Sequence, residues 1–260
     1  MTDLPANDLS GKVVLLTGAS KGIGAEMAAA LGAAGANLVA HYGGDRAGAE
    51  QATAALPKDK VKLIGADLKD KAEVDKLWVE SLAWRGRVDV VINNAAVMRI
   101  GGGIEADESE WDDTWDEALK VNVLAPVRIM RHAVRHYLQT GGGILITISS
   151  WAAQRGPGNP ALLAYASSKG AVLSATKTIA RNYASKGVLA YVIAPGVVRT
   201  RLSEQAAAAA GGEAAFTAGL AMGEWVPPAE LGSLAVFLAS GACRHLSGAT
   251  LDVNGASYIR

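Results

Sequence analysis

Tyr165 and Lys169 stand four residues apart in the run Tyr165-Ala166-Ser167-Ser168-Lys169. On a helix that spacing puts both side chains on one face. Together they could do acid–base work at an oxygen. A phenol has an ordinary pKa of about 10, too high to exchange protons easily near neutrality. A cation beside it stabilises the phenolate and lowers that value. A carbonyl on its way to an alcohol needs such a proton donor. A helical tyrosine–lysine pair is also an ordinary surface pair, so its meaning depends on what stands around it. Ser150 follows the apolar run 144–148, which reads as a strand. The carboxyl edge of an open α/β sheet is where ligands bind. Ser149 is its rival for a role there. Asn122 falls inside a helical pattern, between Val121 and Val123, although asparagine is a poor helix former.

A second group could hold an anion. Thr17-Gly18-Ala19-Ser20-Lys21-Gly22-Ile23-Gly24 joins an apolar strand, 13–17, to a helix at 24–35. Glycine permits a tight turn and close backbone approach. The helix start presents unpaired N–H groups and the positive end of its dipole. That suits a pyrophosphate. Glycine is plentiful here, 30 of 260 residues, so the position between strand and helix carries the reading. The spacing is G-x-x-x-G-x-G rather than G-x-G-x-x-G.

These groups need a scaffold that brings them to one edge. Apolar runs at 13–17, 37–42, 61–66, 88–92, 144–148, 189–193 and 250–253 read as seven strands. Helical patterns at 24–35, 47–56, 71–84, 111–138, 163–185 and 229–239 lie between them. Continuously apolar strands, each followed by a helix, predict a parallel sheet covered on both faces. Right-handed crossovers make that sheet doubly wound, of the Rossmann type. The chain, 1–260, is expected to form a single dinucleotide-binding and catalytic domain. One irregular segment at about 200–228 holds the alanine run 206–210, Gly211-Gly212 and Trp225, and reads as lid-like.

The ordered motifs resemble the short-chain dehydrogenase/reductase family. They are the glycine loop with its leading threonine, Asn93-Asn94-Ala95-Ala96 after the fourth strand, Asn122, Ser149-Ser150, Tyr165-x-x-x-Lys169, and Pro195-Gly196-Val197-Val198-Arg199-Thr200 after the sixth strand. Each is weak alone; their order over nearly the whole chain is specific. The chain is most similar to the 3-oxoacyl-carrier-protein reductase-like branch, whose substrates differ widely. The resemblance implies Tyr165 as acid/base and Lys169 as its activator and as a partner of the nicotinamide ribose. It implies Ser150 rather than Ser149 on the substrate oxygen, and Asn122 holding a water that links Lys169 to solvent. It also implies a cofactor site made of Gly18, Ser20, Lys21, Gly22, Ile23, Gly24, Tyr42, Asp67, Leu68, Asn94, Ala95, Lys169, Pro195, Gly196, Val198 and Thr200. Asp67 would meet the adenine edge, or cap the next helix. Most relatives in such a family are tetramers, so a homotetramer (or homodimer) is expected, with 251–255 resembling the strand used in such assemblies. Two departures stand out: Ala96 replaces a glycine, and the Ser150–Tyr165 stretch is long, which gives the 151–160 loop its own shape as a substrate wall.

The strand end Ala40-His41-Tyr42-Gly43-Gly44 decides the cofactor. Tyr42 stands where NAD enzymes of the family carry aspartate. Lys21 could pair with a 2′-phosphate, and Arg46 is a second donor. NADP(H) is therefore favoured over NAD(H). Asp45 is near the distance expected of a ribose-binding acid, but Gly43 and Gly44 carry it past the strand end. The reading is an NADP(H)-dependent oxidoreductase interconverting a carbonyl and an alcohol. Alternatives are an NAD-dependent alcohol or sugar dehydrogenase and, in another class, a non-catalytic dinucleotide-sensing protein.

Composition excludes several partners. There are 25 basic and 25 acidic residues, with no basic block of the kind that tracks nucleic acid. The single cysteine, Cys243, allows no internal disulfide; it fits a reducing compartment and is expected to pack near a helix end. The first twelve residues lack the apolar core of a signal peptide. No apolar run reaches the length of a membrane span. A cytoplasmic protein with a small-molecule substrate is expected. His132 and His136 have a spacing that can bind metal, but lack a nearby acidic ligand in sequence and read as surface residues; no metal is expected. Trp111 and Trp115 read as helix packing. Trp151 and Trp225 read as substrate contacts, in a mostly apolar pocket with Arg155, Arg199, Arg201 and Glu204 nearby.

Overall fold

The computed structural model describes residues 7–209 and 211–260. Residues 1–6, part of the stretch read above against a signal peptide, and Ala210, the end of the alanine run, lie outside the described residues. The first half runs β1 (Val13–Leu16), α1 (Gly22–Ala33), β2 (Asn37–Tyr42), α2 (Arg46–Ala52), β3 (Val61–Gly65), α3 (Lys71–Arg85) and β4 (Val90–Asn93). The second half runs α4 (Glu108–Leu119), α5 (Ala125–Thr140), β5 (Gly143–Ile148), α6 (Ala152–Arg155), α7 (Leu163–Tyr183), β6 (Val188–Pro195), α8 (Arg201–Ala209), α9 (Glu213–Ala218), α10 (Pro228–Ser240) and β7 (Thr250–Val253).

The seven strands form one sheet in the order β3-β2-β1-β4-β5-β6-β7, and every pair is parallel. This is the doubly wound α/β fold expected from the strand–helix alternation. Alternate side chains of each strand point to opposite faces. Val14 and Leu16 enter one apolar layer, with Met27, Leu31, Leu231 and Ala235 of α1 and α10. Val13 and Leu15 enter the other, with Val74, Leu77, Ile129 and Ala133 of α3 and α5. Burial on both faces is why the strands read as unbroken apolar runs. On the first face α1 and α10 cross closely: a Cβ on Gly232 would lie 3.1 Å from that of Ala30.

The chain leaves β1 toward β2 and β3, then returns to place β4 on the opposite side of β1. A crevice forms at the carboxyl ends of strands that flank such a reversal. The glycine loop follows β1 and Asn94-Ala95 follow β4, so both lie at this crevice.

The helical stretch 111–138 was expected to be continuous. Instead, α4 and α5 are separated by a five-residue π turn, Lys120–Leu124, in which the Ala125 N–H reaches back to the Lys120 carbonyl. Pro126 supplies the cause. It has no N–H to give the Asn122 carbonyl four residues back, and its ring crowds that carbonyl. The turn widens by one residue at Asn122.

The segment expected to be lid-like contains α8 and α9. Its base is closed by a parallel bridge between Val198 and Val226, with Arg199 N–H donating to the Val226 carbonyl at 3.0 Å. Among the described residues no helix is long and apolar enough to cross a membrane.

Candidate active site

The glycine loop is assembled almost wholly from backbone. Gly18 has φ of +70°, and a Cβ there would lie 2.9 Å from the Ala95 Cα. A Cβ on Gly24 would lie 1.8 Å from the Gly18 carbonyl oxygen. Only glycine lets the loop, the start of α1 and the end of β4 approach this closely. Asn94 Nδ2 donates to the carbonyls of Thr17 and Gly18, both at 3.0 Å. Thr17 Oγ1 accepts the N–H groups of Asn94 and Ala95 at 3.0 and 3.1 Å. No side chain caps the first turn of α1, so its leading amides remain available to an anion. That is the donor set a pyrophosphate requires. Gly22 faces Thr200: its Cβ would lie 3.2 Å from Thr200 Cγ2. The residues after β6 thus close over the loop.

At β2 and β3 the edge of the site takes shape. The ring of Tyr42 lies over Gly65, where a Cβ would meet Cε2 at 2.9 Å. Asp45 caps α2, its Oδ1 accepting the Gly48 N–H at 2.9 Å. Ser20 Oγ donates to the Asp45 carbonyl at 2.7 Å and ties the glycine loop to α2. Arg46 pairs with Glu50 at 2.8 Å. Lys21 is exposed. Asp67 is not the cap of α3; Asp70 is, accepting the Ala72 N–H at 2.7 Å. Asp67 instead turns its own loop, accepting the Lys69 N–H at 2.9 Å, and Leu68 is buried in the second core layer.

Beside β5 the two serines divide their work. Ser149 Oγ donates to the Lys169 carbonyl at 2.9 Å and is 2% exposed; it anchors α7. Ser150 Oγ accepts the Ala152 N–H at 3.1 Å and also acts on Tyr165. Burial pushes the Tyr165 hydroxyl above its ordinary pKa, and Ser150 pulls it partly back. The expectation that Lys169 lowers the Tyr165 pKa is therefore not met. The Lys169 ammonium lies 5.9 Å from the Tyr165 ring centroid and donates to the Ile148 carbonyl at 2.8 Å. Burial pushes Lys169 itself down to about 8.

Asn122 is neither solvent-facing nor a cap. It is 2% exposed. Its Oδ1 accepts the Val97 N–H at 2.8 Å, and its Nδ2 donates to the Val97 carbonyl at 2.9 Å and to Ser168 Oγ at 3.0 Å. Ser168 in turn donates to the Tyr165 carbonyl at 2.7 Å. The π turn is thus bonded both to the chain after β4 and to the helix that carries Tyr165. A cavity of about 10 Å³ is lined by Asn93, Asn122, Pro126, Thr147 and Lys169, among others, room for roughly one water. Both polar atoms of the Asn93 amide are buried without a partner among the described residues.

Several expectations on the substrate side change. Trp225 is 3% exposed; its Nε1 donates to Thr217 Oγ1 at 2.8 Å, and its ring meets Phe216 edge-on. It packs the 200–228 segment rather than facing the cleft. Trp151 remains partly exposed, with the Arg155 guanidinium 4.0 Å over its ring. A Cβ on Gly196 would lie 3.4 Å from Trp151 Cε3, which ties the Pro195-Gly196 turn to the serine loop. The long 151–160 stretch forms α6, pinned to β7 by Gln154 Nε2 donating to Asp252 Oδ1 at 2.9 Å. Ala96 does not adopt a left-handed backbone, so the missing glycine brings no strain.

Away from the cleft, Cys243 is exposed rather than packed. His132 bonds Asp75 of α3 at 2.7 Å and stacks on Trp78; its acidic partner comes from another helix, out of sight of the local sequence. His136 accepts the Val88 N–H at 3.4 Å. Trp111 and Trp115 pack against each other at 5.2 Å. Among the described residues no group of three or more histidine, cysteine or acidic side chains could hold a metal.

The sequence motifs did not single out three groups. Ser168, inside the Tyr165–Lys169 run, bonds Asn122. The glycine triplet 101–103 packs on α7 and on the stretch before it: Cβ atoms there would lie 2.8 Å from that of Ala164 and 3.0 Å from the Pro160 carbonyl oxygen. Three consecutive glycines were the available signal. His41 bonds the glycine loop from beneath.

A doubly wound sheet with a glycine loop opening an uncapped helix after β1 and a serine, a tyrosine and a lysine after β5 is the arrangement of a dinucleotide-dependent oxidoreductase. The family model described as Enoyl-(Acyl carrier protein) reductase matches residues 18–256, and the chain belongs to the short-chain dehydrogenase/reductase family and is an oxidoreductase acting on a CH-OH/C=O pair. Similar proteins include 3beta-hydroxysteroid dehydrogenase 1 of Eggerthella lenta, 32% identical over 97% of this chain and 96% of that one. D-threitol dehydrogenase of Mycolicibacterium smegmatis is also 32% identical, over 97% and 95%. The 3-oxoacyl-acyl-carrier-protein reductase FabG of Escherichia coli is 29% identical, over 97% and 99%.

Proposed function

We propose that this oxidoreductase uses NADP(H) to interconvert a carbonyl and an alcohol, with Tyr165 as the acid/base. The observation that carries the reading is the meeting of Ser150, Tyr165 and Lys169 behind β5, beside a glycine loop whose helix start is uncapped. When bound, the cofactor supplies or accepts a hydride at the substrate carbon. The first turn of α1, with Gly22, Ile23 and Gly24, would hold its pyrophosphate, and Lys21 its 2′-phosphate. Tyr42, not an acid, ends β2, and Asp45 lies beyond it as the cap of α2, which favours NADP(H) over NAD(H). Asp67 and Leu68 would border the adenine, and Pro195, Gly196, Val198 and Thr200 the nicotinamide half.

In this reading Ser150 binds the substrate oxygen and Tyr165 exchanges a proton with it. The raised pKa of Tyr165 keeps its hydroxyl protonated at neutral pH, as reduction requires. Lys169 orders the nicotinamide ribose and restores the proton. The one-water cavity between Lys169, Asn93 and Asn122 supports a relay path toward solvent. The chain would work as one cofactor-binding and catalytic domain in the cytoplasm, assembled as a homotetramer, with 200–228 folding over the substrate. By name the relatives act on a 3beta-hydroxysteroid, D-threitol and a 3-oxoacyl-acyl-carrier protein, so the proposal stops at a carbonyl/alcohol pair.

A fluorescence titration with NADPH and NADH, followed by a screen of ketones, aldehydes and acyl thioesters, tests it. Tighter binding of NADPH with turnover is expected. Binding of neither cofactor would overturn the proposal. Binding without any turnover would favour a dinucleotide sensor, and preference for NADH a sugar or alcohol dehydrogenase.

A further inference from the structure

His41, in β2, lies beneath the glycine loop and is 2% exposed. Its backbone carbonyl accepts the Ala19 N–H at 2.8 Å. Its ring Nδ1 accepts the Gly18 N–H at 3.1 Å. One residue therefore takes the first two amides of the loop and turns them toward the sheet, away from a ligand. The other ring nitrogen, Nε2, lies 3.0 Å from the Ala66 carbonyl, immediately before Asp67.

The partners fix the chemistry of the ring. A backbone N–H can only donate, so Nδ1 must present its lone pair. A carbonyl can only accept, so Nε2 must carry the hydrogen. Both requirements are met only by the neutral Nε2–H tautomer; a proton on Nδ1 would confront the Gly18 N–H. Burial favours the same neutral state by lowering the His41 pKa. Gly18 is meanwhile held on its other side by Asn94, through the carbonyl. The peptide groups flanking Gly18 are thus clamped between β2 and the chain after β4, and the clamp continues through the imidazole to the end of β3.

We propose that His41 is a positioning residue for the cofactor, bracing the phosphate-binding loop against the adenine-binding edge, so that affinity for the phosphorylated adenosine half depends on its acceptor bond from Gly18. The inference rests on the NADP(H) reading above. It assigns no contact between His41 and the ligand; the ring acts through the loop.

Two substitutions separate the two ring bonds. An asparagine amide oxygen can take the place of Nδ1, and a glutamine amide nitrogen the reach of Nε2. Dissociation constants for NADPH and for 2′-phospho-ADP-ribose, which lacks the nicotinamide, would be measured by calorimetry on the wild type, His41→Asn, His41→Gln and His41→Leu, each with its melting temperature. His41→Asn is expected to stay within about threefold of the wild type for both ligands. His41→Gln and His41→Leu are expected to bind both about tenfold more weakly, the effect of one lost hydrogen bond to a buried amide. Should His41→Leu fail to fold, the asparagine–glutamine pair still decides. Equal weakening in those two, or lowered melting temperatures with unchanged affinities, would make His41 merely structural and overturn the inference. A wild type that binds neither NADPH nor NADH would instead remove the cofactor reading on which it rests.

Discussion

Around Gly18 the contacts are backbone to backbone, or come from side chains packed against it: Thr17, His41 and Asn94 bond consecutive peptide groups, and added methyls at Gly18 and Gly24 would strike main-chain atoms. Across the cleft the segment after Thr200 is held differently. Arg199 pairs with Glu213 at 2.8 Å with both side chains about half exposed, and Trp225, bonded to Thr217, packs with Val197, Ala207 and Phe216 in a small separate apolar cluster. The first region has one geometry that its residues permit. The second is closed at its base by the Val198–Val226 bridge and beyond it by the small Trp225 cluster and an exposed ion pair, the last worth little alone. On the proposed reading, rigidity falls to the part that would fit an invariant phosphate group, and latitude to the part that would meet the substrate.

Substitutions on either side should differ accordingly. Gly24→Ala puts a methyl 1.8 Å from the Gly18 carbonyl oxygen; NADPH affinity is expected to fall by at least roughly 100-fold, with a stability loss of about 1–3 kcal/mol, both readable by calorimetry. Lys169→Met should lower turnover by about 10²- to 10⁴-fold while leaving the melting temperature unchanged or higher. The sign follows from burial: Lys169 is pushed down to about 8 from an ordinary 10.5. The folded state therefore carries the charge at a cost below pH 8, and that cost fades as pH rises through this window. The wild type should accordingly gain stability on the methionine variant between pH 8 and 10.5, and melting curves across that range would show it. Lys21→Ala should weaken NADPH about tenfold and leave NADH within about twofold; equal weakening would remove the 2′-phosphate assignment. Arg199→Ala should be mildest, shifting an apparent KM a few-fold with little change in melting temperature, as expected of an exposed pair. An Arg199→Ala effect as large as that of Gly24→Ala would abolish the contrast between the two regions.

The same contrast explains what the sequence disclosed. The seven strands were legible because each is buried on both faces and so is apolar throughout. The glycine loop was legible because only one residue type fits its approaches. The break at Asn122 was missed, although Pro126 stood four residues on as its cause, because the apolar periodicity continues through it. The Tyr165–Lys169 pair was found, but the direction of the tyrosine's pKa was not: burial outweighs the hydrogen bond from Ser150, and burial depends on tertiary packing. Trp225 looked like a substrate contact from its place on a loop, and its partners Phe216 and Thr217 were visible only once α9 was folded. His41 offered no motif, since its bonds join three strands.

The most direct test of the whole account is Tyr165→Phe, compared with the wild type in NADPH titration and in turnover of the best carbonyl substrate from the screen. The account predicts a dissociation constant within about twofold of the wild type and a loss of turnover of roughly 1,000-fold or more. Substantial residual turnover in that variant would contradict it, because the proton would then be coming from elsewhere.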